Sequence, residues 1–464
     1  MERTRGAKDA LRRLARHPGL QLAVVSFWLG LLWTSADKPL DAPDEPSHLL
    51  AVMQVRVAHI LPEVHYDFSQ DPGGRIVNTP VDAATLAFAT RYGHADNPYK
   101  MAPNESVQPP LYYLAAGLLS QVIPPDPQAV MYLSRLLGVL FGAGTVYFCW
   151  AATRQLAPAA PMWAIGAAGA VALLPQFCFN NASVSNDSLV NCLAAMAFYI
   201  WFRGLREPRY DPWMLRAGAV VGLAVLAKMS ALVLLPGLAL VLLFRSLPAG
   251  RVPFRADVWL RQGICLSGGA VAAALAVSGW WPVRNFFIYG DVTGLAGIVR
   301  YNRGKLQLLD LTMPSVQATF IRVTWDSFWG YFGWLTTQLP QELYNQAAVL
   351  SVVLGSLSLL CGLWRFAVRR RGRPVPVLAW QGMVVLLTVT LAVCAAHVEF
   401  SATVAFQPQG RYLFQALLPA SLFLTGGLYA LPRRSAHKAL ALGLLLVWLG
   451  LLNMVGLSLV MYRG

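Results

Sequence analysis

Apolar runs long enough to cross a bilayer recur along the whole chain, separated by short polar stretches. A helix needs roughly 17 or more such residues to span. The pattern predicts about eleven spanning helices, near 20–36, 130–153, 160–179, 187–203, 213–228, 230–246, 262–282, 346–366, 376–397, 411–431 and 437–460. The expected fold class is all-α: a polytopic transmembrane helical bundle forming one integral membrane unit over 1–464, with no separate soluble domain. Two long polar loops interrupt the pattern, at 37–109 and 283–345. In the first, Leu49, Val52, Met53, Val57 and Ile60 recur at helical spacing with Arg56 the one interruption. That predicts a surface helix over 45–60 lying at the membrane interface. Asp71-Pro-Gly-Gly74 is a turn signal, and the rest of 62–108 reads as irregular.

Charge sets the orientation. Only 13% of the residues are charged, against 56% hydrophobic, yet the net charge is +15. The basic residues fall in short loops between apolar runs, as the positive-inside rule produces, so nucleic acid is not an expected partner. The run at 110–123 has about 14 residues, below the span length. If it spanned, Arg154, Arg203, Arg206, the 245–261 and 365–373 loops, and Arg433, Arg434 and Lys438 would all lie outside, against the rule. It is therefore read as half-buried or re-entrant. The N-terminus is then cytoplasmic, the C-terminus and both long loops are outside, and the expected location is a bacterial inner membrane. Thr34-Ser35-Ala36 has the small side chains of a cleavage site, but ten more spans follow, so the first helix is read as uncleaved. The first long loop reverses the balance, with ten Asp or Glu against five Lys or Arg. The six cysteines lie in or beside apolar runs with no paired ligand spacing, and read as buried thiols.

The loop opens on Asp41-Ala-Pro-Asp44-Glu45-Pro-Ser-His48, four ionisable side chains in eight residues with two prolines shaping the backbone. Adjacent acids can hold a divalent cation, Mg or Mn, or one can act as general base while another orients it. One of them, Asp44 above all, also suits a helix N-cap. Asp187, in Ser-Asn-Asp-Ser, sits at the same expected face and has the same two readings: N-cap, or second acid and metal ligand beside Asp44 and Glu45. Lys228, between two apolar runs, is costly there unless it snorkels or pairs, and a phosphate or a nearby acid would serve. Arg284 and Arg411 end apolar runs at that face, where they either anchor to headgroups or bind phosphate bidentately. Acids from one loop and cations from three places on one face point to group transfer from a phosphorylated lipid. No HExxH, P-loop or GxSxG is present, and without a nucleotide loop an ATP-driven pump is not expected.

Seven motifs in order carry a resemblance: PDEPSH at 43–48, QPPLYY at 108–113, SNDSL at 185–189, LAKMSALVLLP at 226–236, WWPVRNFFIYGD at 280–291, SFWGYFGW at 327–334 and QGRYLF at 409–414. Together they resemble the GT-C superfamily of polytopic glycosyltransferases, and within it the bacterial membrane proteins marked by a Pro-Asp-Glu-Pro-x-His signature. The resemblance implies inverting transfer of a sugar from a polyprenyl-phosphate donor to a cell-envelope glycan, lipid or protein acceptor on the outer face. It gives Asp44 the role of base or metal ligand, with Glu45 beside it and Asp41 in support. It adds His48, Gln108, Tyr112, Asp187, Lys228, Arg284, Asn285 and Arg411 as contacts to substrate. Many relatives carry a large soluble C-terminal domain; here acceptor recognition is expected to come from the loops. The rival reading is a transporter or flippase of a lipid-linked glycan, using the same charges as a path. Paired broken helices would favour it, and the hydrophobic pattern shows none.

Overall fold

A computed structural model describes residues 17–463 except 70–74, 78–82, 93–103, 208–211, 248–255, 306–308, 370–376 and 432–433. It is a helical bundle. In chain order the helices are α1 (Pro18–Ala36), α2 (Glu45–Met53), α3 (Ala83–Tyr92), α4 (Leu111–Leu119), α5 (Pro127–Leu156), α6 (Pro161–Ala172), α7 (Pro175–Asn181), α8 (Asp187–Arg206) and α9 (Trp213–Ala227). They continue with α10 (Leu235–Ser246), α11 (Ala256–Ser278), α12 (Trp280–Tyr289), α13 (Leu295–Lys305), α14 (Pro314–Trp329), α15 (Gln341–Arg369), α16 (Val377–Thr403), α17 (Leu417–Ala430) and α18 (Ser435–Met461). Proline opens α1, α5, α6, α7 and α14, where its missing N–H costs nothing and its fixed φ suits the first turn. Asp126 caps α5, its carboxylate accepting from the Ala129 N–H at 2.8 Å.

Among the described residues, eight helices are long and apolar enough to cross a bilayer, or ten if two bent pairs each count as one span. The pairs are α6 with α7, bent by 62°, and Arg261–Ser278 with α12, bent by 46°. These breaks correct the expectation of unbroken spans at 160–179 and 262–282. Pro175 removes a backbone donor after Leu174 in the first. In the second, Gly279 stands between the two helices. The remaining predicted span, 213–228, is α9, only 15 residues long. It ends because Lys228 takes an extended backbone (φ −158, ψ 134), and a 3₁₀ segment, Met229–Leu234, leads into α10. Helix α4 and the 3₁₀ turn Ser120–Val122 occupy the half-buried run: Tyr112 and Tyr113 are fully buried while Leu118 and Val122 are exposed.

The first long loop is more ordered than its sequence predicts. It holds a two-stranded antiparallel ribbon, His65–Asp67 against Arg75–Val77, then α3, then a 3₁₀ turn at Asn104–Val107. The turn expected at Asp71–Gly74 lies outside the described residues. Helix α2 is no surface helix: all nine of its residues are buried, and the chain continues as a π turn over Gln54–Ala58. It packs against α4 and the 104–107 turn, so its polar positions point into protein. Arg56, the one break in the apolar stripe, donates to Gln121 Oε1 at 2.6 Å and the Ile123 carbonyl at 2.9 Å, tying the π turn to the end of α4. Of the cysteines, Cys149, Cys178 and Cys192 are buried, but Cys265 and Cys394 are exposed and Cys361 is half-buried, because their helices turn those faces out of the bundle.

Candidate active site

The cluster forms where the ends of α2, α8 and α9 meet the 3₁₀ segment Gly410–Ala416. Asp44 immediately precedes α2 with a left-handed backbone (φ 64), a conformation that costs a non-glycine residue free energy and that aspartate tolerates better than most. Its side chain makes no capping bond. Instead its carboxylate meets the Arg411 guanidinium in a short ion pair, and Arg411 also donates to the Pro43 carbonyl at 3.2 Å. Asp187 begins α8 and likewise caps nothing. It accepts from Lys228 Nζ at 2.6 Å, and its other oxygen lies 4.0 Å from Arg411. The two carboxylates and two cations thus form one chain: Asp44, Arg411, Asp187, Lys228. Asp187, Lys228 and Arg411 are all at most 9% exposed. The Tyr412 ring lies under both cations, 5.2 Å from Arg411 and 5.7 Å from Lys228. The extended backbone at Lys228 brings an ammonium to this point from between two apolar runs.

His48, one turn into α2, enters the same cluster. Its Nδ1 shares a hydrogen bond with the Tyr113 hydroxyl at 2.9 Å, and its Nε2 faces Glu105 across 4.0 Å. Burial, reinforced by the charge of Lys228, pushes the imidazole pKa down to about 3, so the ring is neutral. Glu105 comes from the 104–107 turn. Burial and the negative charge of Asp44 push its carboxyl up to about 7, against the pull of Lys228 and Arg411.

The other predicted residues are placed elsewhere. Glu45 neighbours Asp44 in sequence but turns away, and is fully buried. It receives Arg135 Nε at 2.8 Å on one oxygen and a guanidinium NH₂ at 2.7 Å on the other, and the first oxygen also accepts the Val184 N–H at 2.8 Å. Arg135, on α5, further contacts Asp37 at 3.1 Å and the carbonyls of Asp37 and Lys38. Asp41 pairs with Arg463 at 3.2 Å. Tyr112 donates to the Ser134 carbonyl inside the scaffold. Gln108 closes the turn after Glu105, its N–H donating to the Glu105 carbonyl at 3.0 Å. Arg284 is held apart from Arg411: it donates to the Pro62 carbonyl at 3.0 Å and to Asn285 Oδ1 at 3.2 Å, lies 3.5 Å from Glu63, and stacks on Trp281. Asn285 is buried beside it. Arg284 thus latches the second long loop to the first.

This arrangement bears on a metal. Asp44 and Asp187 meet at Arg411, while Glu45 turns away to Arg135. Among the described residues no group of three or more His, Cys, Asp or Glu side chains is placed to share an ion.

Sequence reasoning missed Arg135, Glu105, Tyr113 and Tyr412. A lone arginine inside an apolar run was a usable signal for Arg135. Glu105 was one of ten acids in a loop and nothing local distinguished it.

The fold has solved counterparts. The oligosaccharyltransferase of Archaeoglobus fulgidus, solved in complex with Zn and sulfate, aligns with a TM-score of 0.53 at 16% identity over 96% of this chain and 53% of its own. The same organism's AglB, solved with an inhibitory peptide and a dolichol-phosphate, aligns with a TM-score of 0.51 at 14% identity over 97% and 56%. ArnT from Cupriavidus metallidurans, bound to undecaprenyl phosphate, aligns with a TM-score of 0.52 at 14% identity over 96% and 72%. The chain spans about half the length of the archaeal enzymes. These likenesses establish a GT-C-like membrane fold. No curated protein matches the sequence. A family profile described as "Predicted membrane protein (DUF2142)" matches residues 27–420, so the chain belongs to that family.

Proposed function

We propose that the protein is a glycosyltransferase that moves a sugar from a polyprenyl-phosphate donor to a hydroxyl of a cell-envelope acceptor on the outer face of a bacterial inner membrane. The observation that carries this reading is the chain Asp44–Arg411–Asp187–Lys228. Two nearly buried cations there are balanced only by carboxylates. A phosphate arriving from the bilayer side can exchange with those carboxylates, because Arg and Lys bind phosphate with charge-assisted bonds of similar strength. The fold supports the reading, since two of the three counterparts named above were solved with dolichol-phosphate and undecaprenyl phosphate. In this reading Arg411 and Lys228 neutralise the charge that grows on the phosphate as the bond to the sugar breaks. Asp44 and Asp187 hold the cations in position and line the side from which the acceptor comes. In this reading Arg284, engaged with the Pro62 carbonyl, Asn285 and Glu63, braces the two loops.

The test is release of polyprenyl phosphate from labelled polyprenyl-phosphate hexoses and pentoses by the purified protein in lipid nanodiscs. Arg411→Gln is expected to slow release by about 10²–10³-fold, the loss typical of one preorganised charge stabiliser. Release by Arg411→Gln at the wild-type rate would remove the cluster from the chemistry. The two bent helix pairs keep a lipid-linked-glycan flippase in view as the second reading. Tight binding of the donor with no release of lipid phosphate would favour it.

A further inference from the structure

We infer that Glu105 takes the proton of the acceptor hydroxyl, while Asp44 serves as counter-ion to Arg411. The inference rests on reading the cluster as a glycosyl-transfer site. It follows from how the acids of this region are occupied. Asp37 and Glu45 close on Arg135, Asp41 on Arg463, Asp44 on Arg411, and Asp187 on Lys228. A carboxylate held by a guanidinium or ammonium has to give up that charge-assisted contact before it can take a proton from an acceptor. Glu105 differs in its ion pairs: its Oε2, like Asp187 Oδ2 and Asp37 Oδ1, is buried without a hydrogen-bond partner among the described residues, but Asp187 and Asp37 each pair with a Lys or Arg and Glu105 pairs with none among those residues. Its close neighbour is His48, a neutral ring 4.0 Å away.

The backbone holds this side chain in place. The Glu105 N–H donates to Ser47 Oγ on α2 at 2.8 Å, and its carbonyl accepts from Gln108. The Pro109-Pro110 pair then stiffens the entry to α4. The groups facing Glu105 are Asp44 before α2, His48 on α2, Tyr113 on α4, Asp187 on α8, Lys228 after α9, and Arg411 and Tyr412 from the 410–416 segment. Two negative and two positive charges leave burial as the deciding influence, and the carboxyl titrates near neutrality. That is where a general base works best at neutral pH.

The step balances. The acceptor O–H proton passes to Glu105 Oε2 as the acceptor oxygen bonds to the anomeric carbon. The bond from that carbon to the phosphate oxygen breaks, and its electron pair leaves on the phosphate. Polyprenyl phosphate departs as the phosphomonoester beside Arg411 and Lys228. Glu105 then loses its proton to water.

The experiment uses the full chain in nanodiscs, a panel of labelled polyprenyl-phosphate hexoses and pentoses, and an alkyl glucoside as acceptor, between pH 5.5 and 9. For the wild type, transfer is expected to rise with pH through a limb centred near 7, because the base must be ionised. Glu105→Gln is expected to lower kcat by about 10²–10⁴-fold with the donor KM unchanged, and to lose the limb. Glu105→Ala is expected to regain activity on addition of formate, a small base that a merely structural role would not answer to. Glu105→Asp serves if the other variants fail to fold: it keeps the limb at a reduced kcat. A Glu105→Gln protein with the wild-type rate and limb, or a Glu105→Asp protein with the wild-type rate and no limb, overturns this inference and leaves the proposed function standing. No turnover of any donor by the wild type overturns both.

Discussion

At the scale of single residues, two neighbours in sequence have opposite fates. Asp44 and Glu45 follow one another in the motif, but the left-handed backbone at Asp44 turns its carboxylate toward Arg411 while α2 carries Glu45 into the protein. Glu45, Asp37 and Arg135 form a buried ionic centre that ties α2 to α5 and the end of α1. Breaking such a centre from one side is costly because the remaining charge is stranded. Glu45→Ala is expected to destabilise the protein by about 3–5 kcal/mol. Thermal melting in detergent checks this, and a melting curve matching the wild type would refute it. The sequence singled out this pair of acids but could not divide their labour, since adjacency says nothing of which way each side chain turns.

At the scale of elements, close packing rests on small residues and on breaks in the helices. Gly218 and Gly222 are four apart on α9 and face the backbone of α11: a Cβ at 218 would collide with the Ala270 carbonyl oxygen, and one at 222 would meet the Ala274 oxygen at 2.7 Å. This small-xxx-small spacing lets two helices approach where lipid gives no hydrophobic drive between them. Gly218→Ala is expected to cost about 1–3 kcal/mol through overpacking. Gly268→Ala, on α11 with open space around it, is expected to be neutral or to stabilise by up to about 1 kcal/mol through helix propensity. Equal melting temperatures for the two variants would show that the α9–α11 contact is not limiting. The hydrophobic run lengths located these helices well. They did not reveal the bends at Pro175 and Gly279 or the burial of α2, because run length is blind to which neighbour covers a face.

At the scale of the whole molecule, α1 leads into the first long loop and α5 leads back, so the cluster and the Ala157–Ala160 connection lie at opposite ends of a span. The proposed orientation puts the cluster outside. In intact cells, with the native cysteines replaced, a membrane-impermeant maleimide is expected to label Ser69→Cys and to leave Ala159→Cys unlabelled; both positions are exposed. The reverse pattern would invert the topology and with it the proposed location of the reaction.

The sequence by itself determined the helical membrane character, the positions of the main helices and the presence of a charged cluster built on PDEPSH. Those follow from local properties: run length, charge placement and proline. Tertiary structure alone decided which charges meet. Asp44 and Arg411 are 367 residues apart, Glu45 and Arg135 are 90 apart, and Lys228 and Asp187 are 41 apart. A buried charge is stable only with a partner, and the chain supplies more candidate partners than any spacing rule can sort. Folding sorted them: Arg411 and Lys228 to Asp44 and Asp187, Arg135 to Glu45, Arg284 to the loop. Glu105 was left beside the PDEPSH motif, its Oε2 without a hydrogen-bond partner among the described residues.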